Sequence, residues 1–411
     1  MSLDTATRST RTERLLIPAT FLTVAGNAFQ ITAAAILVFR ANGTSLAVGW
    51  LFIAVAIPQV VLMVVFGRVV DRSDRRLLCV SADLISAVTA FALPVWLWIG
   101  GPTSLGTYLA NLLLAGTAAL FTPASNALIK ERIPDERLGV FNSRFEMAMN
   151  AGMLLASASA GFLVVAFGPT PLFVVNSLTF LASASLTWAI GAKPVDAPVV
   201  EVVTPVPAEP GPAVRSHPPI KRIALLYTNG NIGLTVANTI LTTLILQTFH
   251  KGPWLIGVTD ALAGAGFLLG AALYSRTSTR ISPLHLAVLG MLGNLVAFSI
   301  QPLHWVALVI AIPFGGFCFA QGRIASRTLL MKASPVERVG RIFGGAQAAG
   351  LALGVVATVS LAALADATTV PYAFWALAAI QGSIAIGCFL ALAGPLAPAG
   401  RTPAVLEPSV S

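Results

Sequence analysis

Twelve long apolar runs, separated by short polar turns, leave this chain few ways to fold. They fall at roughly 15–39, 46–69, 77–100, 104–128, 138–167, 170–192, 221–249, 254–275, 283–301, 304–330, 339–364 and 370–394. A run of about twenty apolar residues spans a bilayer as a helix. In hydrocarbon every backbone polar group must find its partner within the segment, which makes helices the workable solution here. Hydrophobic side chains are 56% of the 411 residues and charged ones only 10%, against about 25% charged in a soluble domain. The expected fold is therefore an all-α membrane protein with twelve transmembrane helices.

The basic residues set the orientation, because Lys and Arg near span ends are retained on the cytoplasmic side. With the N-terminus inside, Arg8, Arg11, Arg14, the turn after run 2, Lys130 to Arg144, the centre of the chain, Arg276, Arg280, Arg323 to Arg341 and Arg401 all fall at cytoplasmic ends. Arg40 and Lys251 fall outside. The formal charge of +9 then reads as a topogenic signal with some contact to anionic lipid, and not as a nucleic-acid surface. The location expected is the inner (plasma) membrane, with both termini cytoplasmic. The first run has a basic flank but is longer than a cleavable leader's core, and it reads as a retained helix. Cys79, Cys318 and Cys388 lie in or at the ends of apolar runs, an odd set without CxxC spacing, which implies neither a disulfide framework nor a metal site.

Residues 193–220 interrupt the pattern with eight prolines, a density that cannot make a helix and reads as an extended linker. The chain divides into an N-terminal six-helix bundle over 1–192, the linker, a C-terminal six-helix bundle over 221–400, and a tail over 401–411. The halves echo each other. Pro134-Asp135-Glu136-Arg137-Leu138-Gly139 recurs as Pro335-Val336-Glu337-Arg338-Val339-Gly340, 201 residues later, and each copy resembles a helix start. Six plus six spans with internal repeats is an architecture of transporters that rock two bundles about a midplane site.

Charges inside or between the spans carry the functional information. The turn after run 2 reads Gly67-Arg68-Val69-Val70-Asp71-Arg72-Ser73-Asp74-Arg75-Arg76. A fainter echo, Gly270 to Arg280, follows run 8 without its acids. Ionisable groups within spans are costly, at least ~3 kcal/mol on insertion scales, and are candidates for function. Here they are Asp83 in run 3, Glu146 in run 5 and Asp260 in run 8. Glu146 lies about 12 Å into its span at 1.5 Å per residue, with Asn142 one turn below. A carboxyl in a low-dielectric cavity can exchange protons near neutral pH. Alternatives stay open for each: Glu146 paired with Arg144 or another nearby basic residue, Asp83 as a structural partner of the basic turn, and Asp260 as an exposed vestibule acid.

The turn Gly67-x-x-x-Asp71-Arg72-x-x-Arg75-Arg76 resembles the signature loop of the major facilitator superfamily. The segment Pro335 to Arg341 resembles its second-half counterpart in bacterial drug, macrolide and siderophore exporters. The resemblance implies that Asp71 faces the start of span 11 near Arg338, Gly340 and Arg341, and that Arg72 or Arg75 pairs with an acid at the end of span 4, where Glu131 stands. These contacts would latch the cytoplasmic side. Asn142-x-x-x-Glu146 resembles some actinobacterial multidrug exporters. The resemblance also implies a substrate path lined by spans 1, 4, 7 and 10. On those spans stand Asn27, Gln30, Asn111, Asn231, Thr235, Asn238 and Gln321, with Phe29, Phe121, Phe249, Phe314 and Phe319 for apolar contact.

Three departures from that pattern bear on coupling. Asp74 stands where the family usually has glycine, Asn27 follows Gly26 where related exporters commonly carry an acid, and Ala156-Ser157 replaces a Gly-Pro pair of antiporters. The small-residue face Gly152, Ala156, Ala160 and Gly161 still implies close helix packing. There is no phosphate loop, no HExxH, and the four histidines are scattered, so the chain is expected to be a transporter without enzyme activity, cofactor or metal. The expected partners are a small-molecule substrate, protons and membrane lipid, and the expected state is a monomer. The reading is proton-antiport export of a drug-like or secondary-metabolite molecule. The alternatives are a proton symporter importing a small nutrient, and a non-transporting membrane sensor or scaffold on the same fold.

Overall fold

In a computed structural model, residues 3–192, 219–252 and 254–393 are described. They form α1 (Leu3–Asn42), α2 (Ser45–Arg72), α3 (Arg75–Trp98), α4 (Thr103–Arg132), α5 (Leu138–Phe167), α6 (Thr170–Ala189), α7 (Ile220–Thr243), α8 (Trp254–Thr277), α9 (Pro283–Ile300), α10 (Trp305–Ala333), α11 (Val339–Ala367) and α12 (Val370–Ala393). Among the described residues, eleven helices are long and apolar enough to cross a membrane. The more polar α7, with Lys221, Arg222, Asn229 and Asn231, completes the set. The expected linker lies outside the described residues apart from Pro219 and Ile220, and the expected tail over 401–411 lies outside them entirely.

The helices overrun the apolar runs. α1 begins at Leu3, α4 continues through Arg132 and α10 through Ala333, because a backbone that must pair internally in lipid stays helical until water can satisfy its free ends. Internal prolines at 18, 58, 94, 123 and 313 are accommodated without ending their helices. In α5 the Ala156-Ser157 replacement lies in one unbroken helix.

Within the first half, α1 packs on α4, α5 and α6, α3 on α4 and α6, and α2 on α4. Within the second, α10 packs on α8 and α9, α11 on α7, and α12 on α7 and α9. Two long seams join the halves, α2 with α11 and α5 with α8, reinforced by α4 with α11 and α5 with α10. Large apolar residues such as Trp98, Phe162, Val165 and Leu390 point outward, as a surface facing acyl chains requires. On α5 the small residues Gly152, Ala156 and Ala160 are buried, and a β-carbon on Gly152 would lie 2.8 Å from the Phe21 carbonyl oxygen. Gly161 meets nothing, so the packing face expected from the sequence stops one residue short of it.

Candidate functional site

The α2–α11 seam is built on glycine. A β-carbon on Gly67 would come within 2.9 Å of the Gly340 carbonyl oxygen, and one on Gly344 within 2.5 Å of the Met63 carbonyl oxygen. The two backbones therefore touch directly, as small residues permit. One turn beyond Gly67, the Asp71 carboxylate accepts hydrogen bonds from the backbone N–H groups of Gly340 at 2.9 Å and Arg341 at 3.3 Å. These are unpaired donors at the first turn of α11, where the helix dipole also favours a negative charge. The Arg341 side chain adds a loose contact at 3.9 Å while staying half exposed.

The rest of the basic turn is held from the other side. Asp74, the departure from glycine, caps α3 by accepting from the N–H groups of Arg76 and Leu77, so the substitution supplies a helix start. Arg75 bonds Glu131 at the end of α4 and donates to the Val336 carbonyl at 2.8 Å, tying three segments together. Glu131 also lies 3.3 Å from Arg132. Arg76 is buried under the Trp188 ring, 4.5 Å from its centre. Arg72 and Arg338 are exposed, and of the two arginines considered for Glu131 it is Arg75 that reaches it.

The second seam, α5 with α8, is reinforced by a buried ion cluster between α5 and α10. Glu146 is fully buried on α5 and accepts from Arg323 and Arg327 of α10, each at 2.9 Å. Arg323 also bonds Asn231, and Arg327 donates to Asn126 at 2.8 Å while lying 4.3 Å from the Phe145 ring centre. Nearby, Asn142 donates to Thr328 at 3.0 Å and Ser143 to the Ala271 carbonyl. The alternative pairing of Glu146 with Arg144 is corrected: Arg144 bonds Glu13, which also holds Arg137, because it points outward from a face of α5 away from α10. The two partners of Glu146 lie inside the run read as span 10. Their position near the end of that run places them by sequence at a cytoplasmic end, whereas their i, i+4 spacing is the signal for a shared charged face.

A cavity of about 160 Å³ lies between the halves. Its walls include Thr20, Thr23 and Asn27 of α1, Asp83 and Ser86 of α3, and Thr117, Phe121 and Asn126 of α4. Phe145, Phe180, Tyr227, Arg323, Arg327 and Gln347 close it. Asn27 and Asp83 thus share one space. Asp83 accepts from Ser183 at 2.7 Å and makes no ion pair among the described residues, so the expectation that it partners the basic turn is corrected. Arg75 and Arg76 are already engaged elsewhere.

Most amides assigned to the path have other uses. Gln30 accepts from Asn176, Asn111 donates to the Thr107 carbonyl, and Gln321 bridges Gly270 and Thr277. Asn231 holds Arg323 and Gln347, and Thr235 bonds the Asn231 carbonyl beside Gly354. The side chain of Asn238 lies outside the described residues. Asp260 is exposed and not part of the cavity. Of the five phenylalanines considered, Phe121 lines it. Buried amides are satisfied by neighbouring helices wherever a partner is within reach, so polarity along a helix marks packing as readily as a ligand path. The wall also draws on α3, α5, α6 and α11, beyond the four helices expected.

Two helical bundles that meet along seams at one membrane face and enclose a polar cavity define a multi-pass membrane transporter. The Major Facilitator Superfamily pattern matches residues 16–230, more than half of the 411 residues, and the chain belongs to that family. It is 26% identical over 386 residues to the multidrug efflux pump Tap of Mycolicibacterium fortuitum, covering 90% of this chain and 93% of the relative. It is 25% identical to the uncharacterized MFS-type transporter YfiS of Bacillus subtilis, covering 88% and 86% respectively. A bacterial homologue of the iron transporter ferroportin, solved in its outward-facing state, shares the fold with a TM-score of 0.72 at 14% identity, covering 92% of this chain and 98% of that one.

Proposed function

We propose that this transporter exports amphipathic, drug-like or secondary-metabolite molecules in exchange for protons. The bundles 1–192 and 221–400 would rock against each other within a monomer in the plasma membrane, surrounded by lipid. The observation that carries the reading is the cavity, which combines hydroxyl and amide groups with Phe121, Phe145 and Phe180 and holds a carboxyl that has no cation partner among the described residues. Such a mixture suits a ligand with an apolar body and a few hydrogen-bonding groups. The likeness to multidrug efflux pumps over about nine-tenths of both chains supports export. The distribution of basic residues supports cytoplasmic termini and, with them, a cytoplasmic position for both seams. The latch of Gly67, Asp71, Arg75, Glu131 and Gly340, together with the Glu146 cluster, would hold the cytoplasmic side shut while the cavity is served from outside. Opening the seams would reverse the access.

The test is transport in inverted membrane vesicles. An imposed proton gradient is expected to drive accumulation of a lipophilic fluorescent dye or an antibiotic, and collapse of the gradient to release it. Folded protein that moves no member of a broad compound panel would overturn the proposal and favour the sensor reading. Uptake in the opposite sense would favour the nutrient symporter.

A further inference from the structure

Three acidic side chains are buried among the described residues: Glu13, Asp83 and Glu146. Glu13 is held by Arg137 and Arg144, and Glu146 by Arg323 and Arg327. Asp83 has one neutral donor, the Ser183 hydroxyl. A carboxylate that is out of water and lacks a cation is the costliest of the three charges to keep, and a single proton removes that cost.

We infer that Asp83 is the proton-binding site of the cavity. Among the described residues no cation is paired with it. The neighbouring α6 carries no charged residue, and α4 carries none before Lys130. On α2 the charged residues Arg68, Asp71 and Arg72 lie at the helix end beside the basic turn. On α3 itself, Arg75 and Arg76 lie about two turns below, ~10–12 Å along the axis, and are engaged by Glu131 and Trp188. Cys79, one turn below, is a buried free cysteine. Across the cavity stand Arg323 and Arg327, both already bonded to Glu146.

Access is provided as well. Asp83 lines the cavity beside Ser86, and Ser86 is hydrogen-bonded at 2.6 Å to Thr117, another wall residue. Hydroxyls can donate and accept in turn, so a proton entering the cavity meets a polar wall leading to the carboxylate. The step is the addition of one proton to a carboxylate oxygen and its later return, with no electron transfer. Its role in export rests on the proton-coupled reading above, but the binding of the proton does not.

The test is infrared difference spectroscopy of the full-length protein in lipid nanodiscs, comparing mildly acidic with mildly alkaline pH and using no substrate. A protonated-carboxyl C=O band is expected in the parent protein, lost in Asp83→Asn and kept in Glu146→Gln. Ser183→Ala, which leaves the carboxyl intact, is expected to shift the same band to higher frequency by removing its hydrogen bond. The variant covers the case in which Asp83→Asn fails to fold. A band that survives Asp83→Asn, that disappears in Glu146→Gln protein shown to be folded, or that is unmoved in Ser183→Ala would overturn the assignment. A band that behaves as expected in a protein that transports nothing would count against the export reading alone.

Discussion

The α2–α11 and α5–α8 seams occupy matching places in the two halves, yet they are held by different physics. Gly67 and Asp71 stand four residues apart at the end of α2, and Gly270 and Tyr274 stand four apart at the end of α8. The helix starts opposite these ends, at Gly340 and Gly139, belong to the two copies of the internal repeat. In the first seam, glycine lets backbones touch and Asp71 accepts from the free N–H groups of α11. In the second, a buried tyrosine ring takes the place of the acid, and a β-carbon on Gly139 would lie 3.4 Å from it. Gly270 has turned away to its own bundle, where its β-carbon position lies 2.6 Å from the Phe317 carbonyl oxygen. The charge lost from that crossing has its counterpart deeper in, as the Glu146 cluster. A partly exposed contact between an acid and a helix start is worth about 0.3–2 kcal/mol. Removing one partner of a buried ion cluster costs about 3–5 kcal/mol. The first seam is thus held by the weaker interactions and the second by the stronger.

The largest expected effect is that of Glu146→Gln, which leaves Arg323 and Arg327 buried without a counter-charge. It is expected to destabilise by about 3–5 kcal/mol, read as a lowered thermal midpoint of the purified protein. A loss no greater than that of the Asp71 variant below would erase the distinction between the seams. Gly67→Val is expected to push α2 from α11 at about 1–3 kcal/mol of overpacking. Spin labels at the exposed Arg72 and Arg338 would report a longer distance. The same substitution at Gly270 should destabilise the second bundle and leave the α5–α8 spacing alone.

Asp71→Asn keeps an acceptor but removes the charge, and is expected to weaken the first seam by about 1 kcal/mol. In the parent protein, raising the salt concentration should lengthen the Arg72 to Arg338 label distance, since partly exposed charges are screened. The Asp71→Asn protein should respond less. The smallest effect is expected from Ser143→Ala, about 1 kcal/mol or below for one lost hydrogen bond, and it should be insensitive to salt. A salt-dependent Ser143→Ala protein would mean that the second seam is also governed by exposed charge.

Part of this site could be read from residue order and part could not. Gly67 and Asp71 are one helical turn apart, so their shared face follows from spacing alone, and the repeat at Pro335 to Gly340 marked the helix start opposite. Arg323 and Arg327 could not be placed by order alone. Distance from the end of the apolar run puts them at the cytoplasmic face, whereas α10 stays helical to Ala333 and carries both arginines inward toward α5. The amides of Gln30 and Gln321 show the opposite limit. Each is polar in an apolar helix, but an amide hydrogen-bonded to a neighbouring helix looks no different in sequence from one that faces a cavity, and Asn111 bonds the Thr107 carbonyl one turn back on its own helix.

What the residue order determined by itself is the number of apolar spans, their division about a proline-rich centre, and the clustering of charge in the turn after the second span. These follow from properties of single residues and short windows: transfer into lipid, helix pitch, and the effect of proline on the backbone. The tertiary structure decided which charges find partners. Glu146 lies 177 residues from Arg323 and 181 from Arg327, and Asp83 lies 100 from Ser183. A buried charge is stable or costly according to what the fold places within a few ångströms of it. On that ground two similar intramembrane acids separate, Glu146 as a tie between the bundles and Asp83 as the carboxyl left without a cation in the cavity.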